Sequence, residues 1–406
     1  MKRTLNFIIR IINGVCSRLK TYISFIISFL ICLIFKVKKR RVLFWSTEGK
    51  DYSCNPLSIS DCLLAEHYND FDIYWLFQKN ANVTLVDKRI KKVYYGSLMH
   101  FYIFHTAEFL ITNHRTSPKM FYWIKRKDQK YIMTWHGSMP LKKIEKDAEN
   151  TLPESYIKTA QTDSKLCDLM ISDSQWYSNL IRSSFWYTGE ILEKGMPRND
   201  VFYKNEIHSK IREDVAESYG IEKDAEKLFV LYAPTFRTNH STDNYILKWY
   251  KIKKTIEDHY KKDTVILLRL HPTLLDIINT EDLITEEYVK NASKYPNMQE
   301  LLIASDMLIT DYSSTMFECA LLKKPCFLFT PDLEEYDRGM YFPFTDLPFT
   351  SARTCDELEH NIICLDVSAY LKKTDCFVNQ FFHPFGNGNA SHEVVKWMLG
   401  KTSNGK

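Results

Sequence analysis

Ala304-Ser-Asp-Met-Leu-Ile-Thr-Asp-Tyr-Ser-Ser-Thr-Met-Phe-Glu-Cys-Ala320 runs from a short apolar stretch through a hydroxyl-rich turn into a helical pattern. The spacing predicts a strand ending at Thr310 and an amphipathic helix beginning near Thr315. On either side of it, short apolar runs alternate with longer amphipathic stretches along the chain after residue 41. Val42–Trp45, Ile73–Phe77, Phe109–Thr112, Tyr131–Trp135 and Leu169–Ser172 are strand candidates of a first half. Leu228–Tyr232, Val265–Leu270, Met307–Thr310 and Pro325–Phe329 are candidates of a second. This alternation is the signature of βα units on parallel sheets, so the expected class is α/β with two Rossmann-like domains facing a cleft. Lys194–Asp200 has turn chemistry and Lys204–Gly220 reads as a charged helix, which places the boundary near 205. The expected organisation is 1–41, a basic and apolar segment, then domains over 42–205 and 206–400.

In open parallel sheets, chemistry gathers beyond the carboxyl ends of the strands. Four constellations sit there. In Thr134-Trp-His-Gly-Ser-Met-Pro-Leu-Lys-Lys143, His136 is a titratable base beside Gly137, Lys142 and Lys143. In Leu231-Tyr-Ala-Pro-Thr-Phe-Arg237, Thr235 and Arg237 follow a strand that Pro234 stops, and a guanidinium fork suits phosphate. In Leu268-Arg-Leu-His-Pro272, Arg269 and His271 lie two apart and so on one strand face. In the opening stretch, Ser313 and Ser314 stand at a helix start, and Glu318 is placed to accept from ribose hydroxyls. The competing readings are a core histidine, a solvated arginine, a structural pair, and ordinary capping by Asp311, Ser313 or Ser314.

Composition narrows the partners. The chain has 406 residues, 45% of them hydrophobic and only 25 of them Gly or Pro, which suits a sizeable globular core and excludes low-complexity architectures. Residues 1–41 hold ten Lys or Arg and no acid, so removing them from the net +4 leaves a body of −6. A mildly acidic body argues against nucleic acid as a partner. Between Lys20 and Lys36 the run Tyr22–Phe35 is uncharged and almost wholly apolar. As a helix it reaches about 21 Å, short of a hydrocarbon core of about 30 Å. It therefore reads as an interfacial anchor on anionic lipid, with a tilted single span as the alternative. Lys36-Val-Lys-Lys-Arg-Arg41 follows where a signal peptide would need small residues. Ten cysteines without a Cys-x-x-Cys pair disfavour zinc and a disulfide framework. No Gly-x-Gly-x-x-Gly or Walker loop occurs, and the sole Asp-x-Asp, Asp70-Phe-Asp72, reads as a solvated edge. No metal or other cofactor is expected.

Taken together, Trp135–Ile144, Gly195-Met-Pro-Arg-Asn-Asp200, Tyr232–Arg237, Arg269–Pro272, Thr310–Ser314, Asp332-Leu-Glu-Glu-Tyr336 and Gly386-Asn-Gly-Asn-Ala-Ser391 resemble, in order, the CDP-glycerol glycerophosphotransferases of teichoic acid synthesis. The resemblance implies a GT-B fold and a membrane-binding amino-terminal element, and the Lys/Arg flanks put the body on the cytoplasmic face of a bacterial membrane. It implies His136 as general base and His271 as a second essential histidine. It also implies Arg237, Ser313 and Ser314 around the donor diphosphate; on the strand-end reading Thr235, Arg269 and Glu318 join them at the donor, and Gly137, Lys142, Arg198 and Asp311 would serve the acceptor or the motif framework. The implied reaction moves glycerol phosphate from CDP-glycerol to a lipid-linked saccharide or polymer, releasing CMP, in teichoic-acid-like or capsular glycopolymer synthesis. CDP-ribitol as donor, a UDP-sugar-dependent GT-B glycosyltransferase and a non-catalytic membrane scaffold are the alternatives.

Overall fold

Two fully parallel sheets organise the chain. The computed structural model describes residues 19, 21–117, 123–137, 139–222, 226–235, 247–270, 286–336 and 339–403. The first sheet holds β1 (Lys38–Trp45), β2 (Asp72–Phe77), β3 (Lys91–Tyr94), β4 (Ala107–Thr112), β5 (Lys130–Met133), β6 (Leu169–Ser172) and β7 (Glu190–Glu193). Its order is β3-β2-β1-β4-β5-β6-β7. The second holds β8 (Leu228–Tyr232), β9 (Thr264–Leu268), β10 (Val289–Asn291), β11 (Met307–Thr310), β12 (Cys326–Phe329) and β13 (Thr350–Ala352), in the order β10-β9-β8-β11-β12-β13. Both orders reverse once, between β1 and β4 and between β8 and β11, and ligands of such sheets bind at that crevice.

The nine apolar runs read as strands are the nine interior strands. The four strands they omit, β3, β7, β10 and β13, are the four sheet edges. Interior strands are covered on both faces and so are continuously apolar. The edges read Lys-Lys-Val-Tyr, Glu-Ile-Leu-Glu, Val-Lys-Asn and Thr-Ser-Ala, because an edge faces water on one side.

The first sheet begins earlier than expected. Residues 38–41 belong to β1 rather than to a separate segment, and Arg41 is buried, with Nε 3.1 Å from Asp72 and Nη1 2.7 Å from Thr106 Oγ1. Asp72 also takes Lys38 at 3.4 Å and Lys91 at 2.6 Å, so the Asp-x-Asp pair anchors the strand start. Residues 21–34 form a helix, α1, that turns its apolar face outward. Tyr22, Phe25, Ile26, Phe29 and Leu33 are exposed, whereas Ser24 and Ser28 are buried. Among the described residues no helix is long and apolar enough to cross a membrane.

The chain closes by returning to its first half. The helix α2 (Ala390–Ser403) packs Val394, Val395 and Met398 into the core of the first sheet. Asp200 accepts from the N–H groups of Ala390 and Ser391, both at 2.8 Å, and so caps that helix from 190 residues away. At Gly195, φ is +105° and an added Cβ would lie 3.1 Å from Gly386 Cα, so only glycine fits there. The two glycine-bearing motifs are one clasp. Asp200→Ala removes two charge-assisted bonds and should lower unfolding free energy by about 2 kcal/mol. Asp200→Asn should lose less, as read from urea midpoints.

Candidate active site

The site begins at the end of β5. The N–H and hydroxyl of Thr134 both donate to Thr112 O, at 2.8 and 3.1 Å, which ties the departing chain to β4. Trp135 then adopts φ +56°, a conformation that a bulky side chain holds only when its surroundings impose it. Arg115 is part of those surroundings. Its guanidinium lies 5.8 Å from the Trp135 ring and is locked by Glu145 (2.5 Å) and Asp163 (3.1 Å). His136 follows, with Nδ1 3.0 Å from the carbonyl oxygen of Asn113. Its ring stacks on Trp135 at 4.5 Å and on His114 at 4.4 Å.

From here the chain crosses to the second half. Met139 and Leu141 are buried in the core of the second sheet. Lys143 N–H donates to Gly339 O at 2.8 Å and Tyr341 N–H to Leu141 O at 2.9 Å. An added Cβ on Gly137 would lie 3.5 Å from Ser314 Oγ, so the His-Gly segment runs close to the opposite edge.

That edge is built by Asp311. It is buried, and its two oxygens take the N–H of Thr235 at 3.0 and 2.9 Å, while Oδ1 takes the N–H of Tyr312 at 2.6 Å. Asp311 therefore joins the ends of β8 and β11 rather than capping the helix after them. Ser313 Oγ accepts from the N–H of Thr315 at 3.3 Å, whereas Ser314 makes no side-chain cap. Tyr312 stacks on Tyr336 at 3.7 Å and donates to Asp332 at 3.0 Å, which is where the Asp332–Tyr336 motif is spent. Trp135, His136, Gly137, Lys142, Thr235, Tyr312, Ser313 and Ser314 line one cavity of about 440 Å³ between the two halves.

Not every expected residue reaches that cavity. Glu318, expected at a ribose, accepts instead from Arg198 Nη2 at 2.6 Å and from Gln299 at 3.2 Å, one bond on each oxygen. Arg198 and Glu318 are an ion pair across the two halves, with side chains 13% and 4% exposed. Arg269 donates to the carbonyls of Ala292 (3.2 Å) and Tyr295 (2.5 Å) and lines a second cavity, of about 290 Å³, beside Lys50 and Tyr52. Arg237 and His271 lie outside the described residues. Asn113-His-Arg115 was not among the sequence candidates, although it follows the apolar run Phe109–Thr112 just as the four constellations follow theirs.

A model of the CDP-Glycerol:Poly(glycerophosphate) glycerophosphotransferase family matches residues 27–400. The chain belongs to this family. It is 31% identical over 375 residues to a teichoic acid poly(glycerol phosphate) polymerase of Staphylococcus epidermidis, covering 88% of this chain and 50% of that protein. Against the polymerase of the same name from Bacillus spizizenii it is 28% identical, covering 89% and 92%. The chain thus spans about half the length of the first of these relatives and nearly all of the second. The solved structure of the wall teichoic acid polymerase TagF superposes with a TM-score of 0.81 at 28% identity, over 99% of this chain and 98% of that one. The two-sheet arrangement is GT-B-like, as the family resemblance implies. The ion pair that spans it is testable. Glu318→Ala leaves the Arg198 cation buried and unpaired, and should cost about 3–5 kcal/mol in denaturant melts. Adding Arg198→Met should recover most of that loss.

Proposed function

We propose that the chain is a CDP-glycerol glycerophosphotransferase of teichoic-acid-like glycopolymer synthesis. The observation that carries this reading is the shared cavity. His136, from the first sheet, and Thr235, Ser313 and Ser314, from the second, face one space in a member of this family. A hydroxyl of a lipid-linked saccharide or polymer attacks the phosphorus next to glycerol. The O–P bond to CMP breaks, CMP leaves, and His136 takes the hydroxyl proton. Such transfer depends on positioning and charge stabilisation rather than covalent help from the protein. The Ser313 and Ser314 hydroxyls and Lys142 are placed to meet donor oxygens. By the family pattern Arg237 and His271 share the charge that grows as CMP departs, without an obligatory metal.

Purified chain with a lipid-linked disaccharide should take glycerol phosphate from CDP-glycerol and release CMP, as read by product mass. Sugar transfer with release of UDP would overturn the reading, and transfer from CDP-ribitol alone would change the donor. His136→Ala should lower turnover by about 10²–10⁴-fold with little change in donor affinity, the range of a positioned acid–base group. Ser313→Ala with Ser314→Ala should chiefly raise the KM for CDP-glycerol.

The same reading places the enzyme on the cytoplasmic face of the membrane through α1. Its exposed Tyr22, Phe25, Phe29 and Leu33 suit the acyl boundary, and Arg18, Lys20 and Lys36 flank it in sequence. Deleting residues 1–35, which spares β1 and its Arg41–Asp72 pair, should release the protein from vesicles containing anionic lipid and leave its melting temperature in place. High salt should release the full chain in part, because attraction to anionic lipid is screened over about 8–10 Å. Unchanged partition after the deletion would remove the anchor.

A further inference from the structure

β4 and β5 are hydrogen-bonded neighbours with Thr112 opposite Met133, so the residues just past their ends share one stretch of the sheet edge. His114 and His136 meet there face to face, with ring centroids 4.4 Å apart and planes within 11°. Asn113 governs both rings. Its backbone carbonyl can only accept, so the His136 Nδ1 at 3.0 Å from it carries the proton and Nε2 carries the lone pair. Its side-chain atom Oδ1 accepts the N–H of Thr47 at 3.0 Å, which identifies that atom as the oxygen. His114 Nδ1, 2.8 Å from the same oxygen, must then donate as well. A single asparagine sets the tautomer of both imidazoles and holds the His114 ring in place.

We propose that His114 is a positioning residue for phosphoryl transfer, acting through His136: clamped by Asn113, its ring fixes the plane of the His136 imidazole and presents Nε2 as the base. Trp135 stacks on His136 as well, at 4.5 Å, so the ring is held by two aromatic neighbours. Burial holds the His114 imidazole far below the usual histidine range, and His136 and Lys50 push the same way. A neutral His114 offers a π-face, which suits the imidazolium that forms when His136 takes the hydroxyl proton. His114 does not line the cavity, so its removal should leave donor binding alone. Misplacing a reacting group by about 1 Å can cost about 10²-fold in rate.

This inference rests on His136 being the base, and the experiment separates the two. CMP release is followed with the full chain, CDP-glycerol and a lipid-linked disaccharide acceptor. His114→Ala should lower kcat about 10–100-fold while the KM for CDP-glycerol stays within about threefold. His114→Phe restores a stacking ring without the Asn113 bond and should recover most of that loss. His114→Leu, of similar bulk but without a π-face, should not, and the Phe–Leu contrast decides the matter even if the alanine variant folds poorly. Near-normal turnover in His136→Ala would remove the base assignment and the His114 role together. Loss in His136→Ala alongside normal kcat in His114→Ala, or equal rates for His114→Phe and His114→Leu, would overturn the His114 role alone.

Discussion

The distance between the two strand edges is the constraint on which the site depends. Two parallel sheets present their carboxyl ends to a common cleft, and nothing in either sheet alone fixes how far apart those ends lie. The buried pair Arg198–Glu318 fixes it. Arg198 follows β7 in the first half, and its backbone N–H is also held by Asn55 at 3.0 Å. Glu318 sits on the helix after β11, with Gln299 on its other oxygen. A guanidinium taken out of water at this depth needs acceptors, and Arg198 finds a carboxylate on the other half; leaving it unpaired would cost several kcal/mol. The halves therefore meet where these two side chains meet. The chain from Trp135 to Lys143 makes a second tie, starting on the first sheet and burying Met139 and Leu141 in the core of the other.

Within that frame, buried polar groups are satisfied in ways that orient the residues lining the cavity. Asp311 spends its carboxylate on two backbone N–H groups, and so brings Thr235 and Ser313 to the same wall of the cavity. Asn113 spends two oxygens on two histidines and the N–H of Thr47. Arg115 satisfies Glu145 and Asp163 while lying against Trp135, which sustains the left-handed turn ahead of His136. In each case a group that cannot remain unbonded in the interior makes the wall of the cavity rigid.

The amino-terminal helix follows the opposite logic. A helix on a water-soluble surface turns its apolar stripe inward. Here Ser24 and Ser28 are covered, and the large apolar side chains face out. Just past it, Lys38, Arg40 and Arg41 are drawn into the sheet by Asp70 and Asp72, so the basic run is divided between helix flank and strand start.

The interior strands were legible because burial on both faces writes an unbroken apolar run into the sequence, as in Val42–Trp45 or Met307–Thr310. The candidates His136, Thr235, Ser313 and Ser314 were legible because each follows such a run, and parallel sheets collect their strand ends on one side. The edge strands were not, because Lys91–Tyr94 and Glu190–Glu193 carry the charges of a solvated margin. Nor could the sequence pair Arg198 with Glu318, Asp200 with Ser391, or His114 with His136. Periodicity and turn chemistry report what a residue does within a few positions of itself. Which buried charge meets which, and which ring lies on which, is decided only when distant strands are packed side by side and every desolvated group must find its partner.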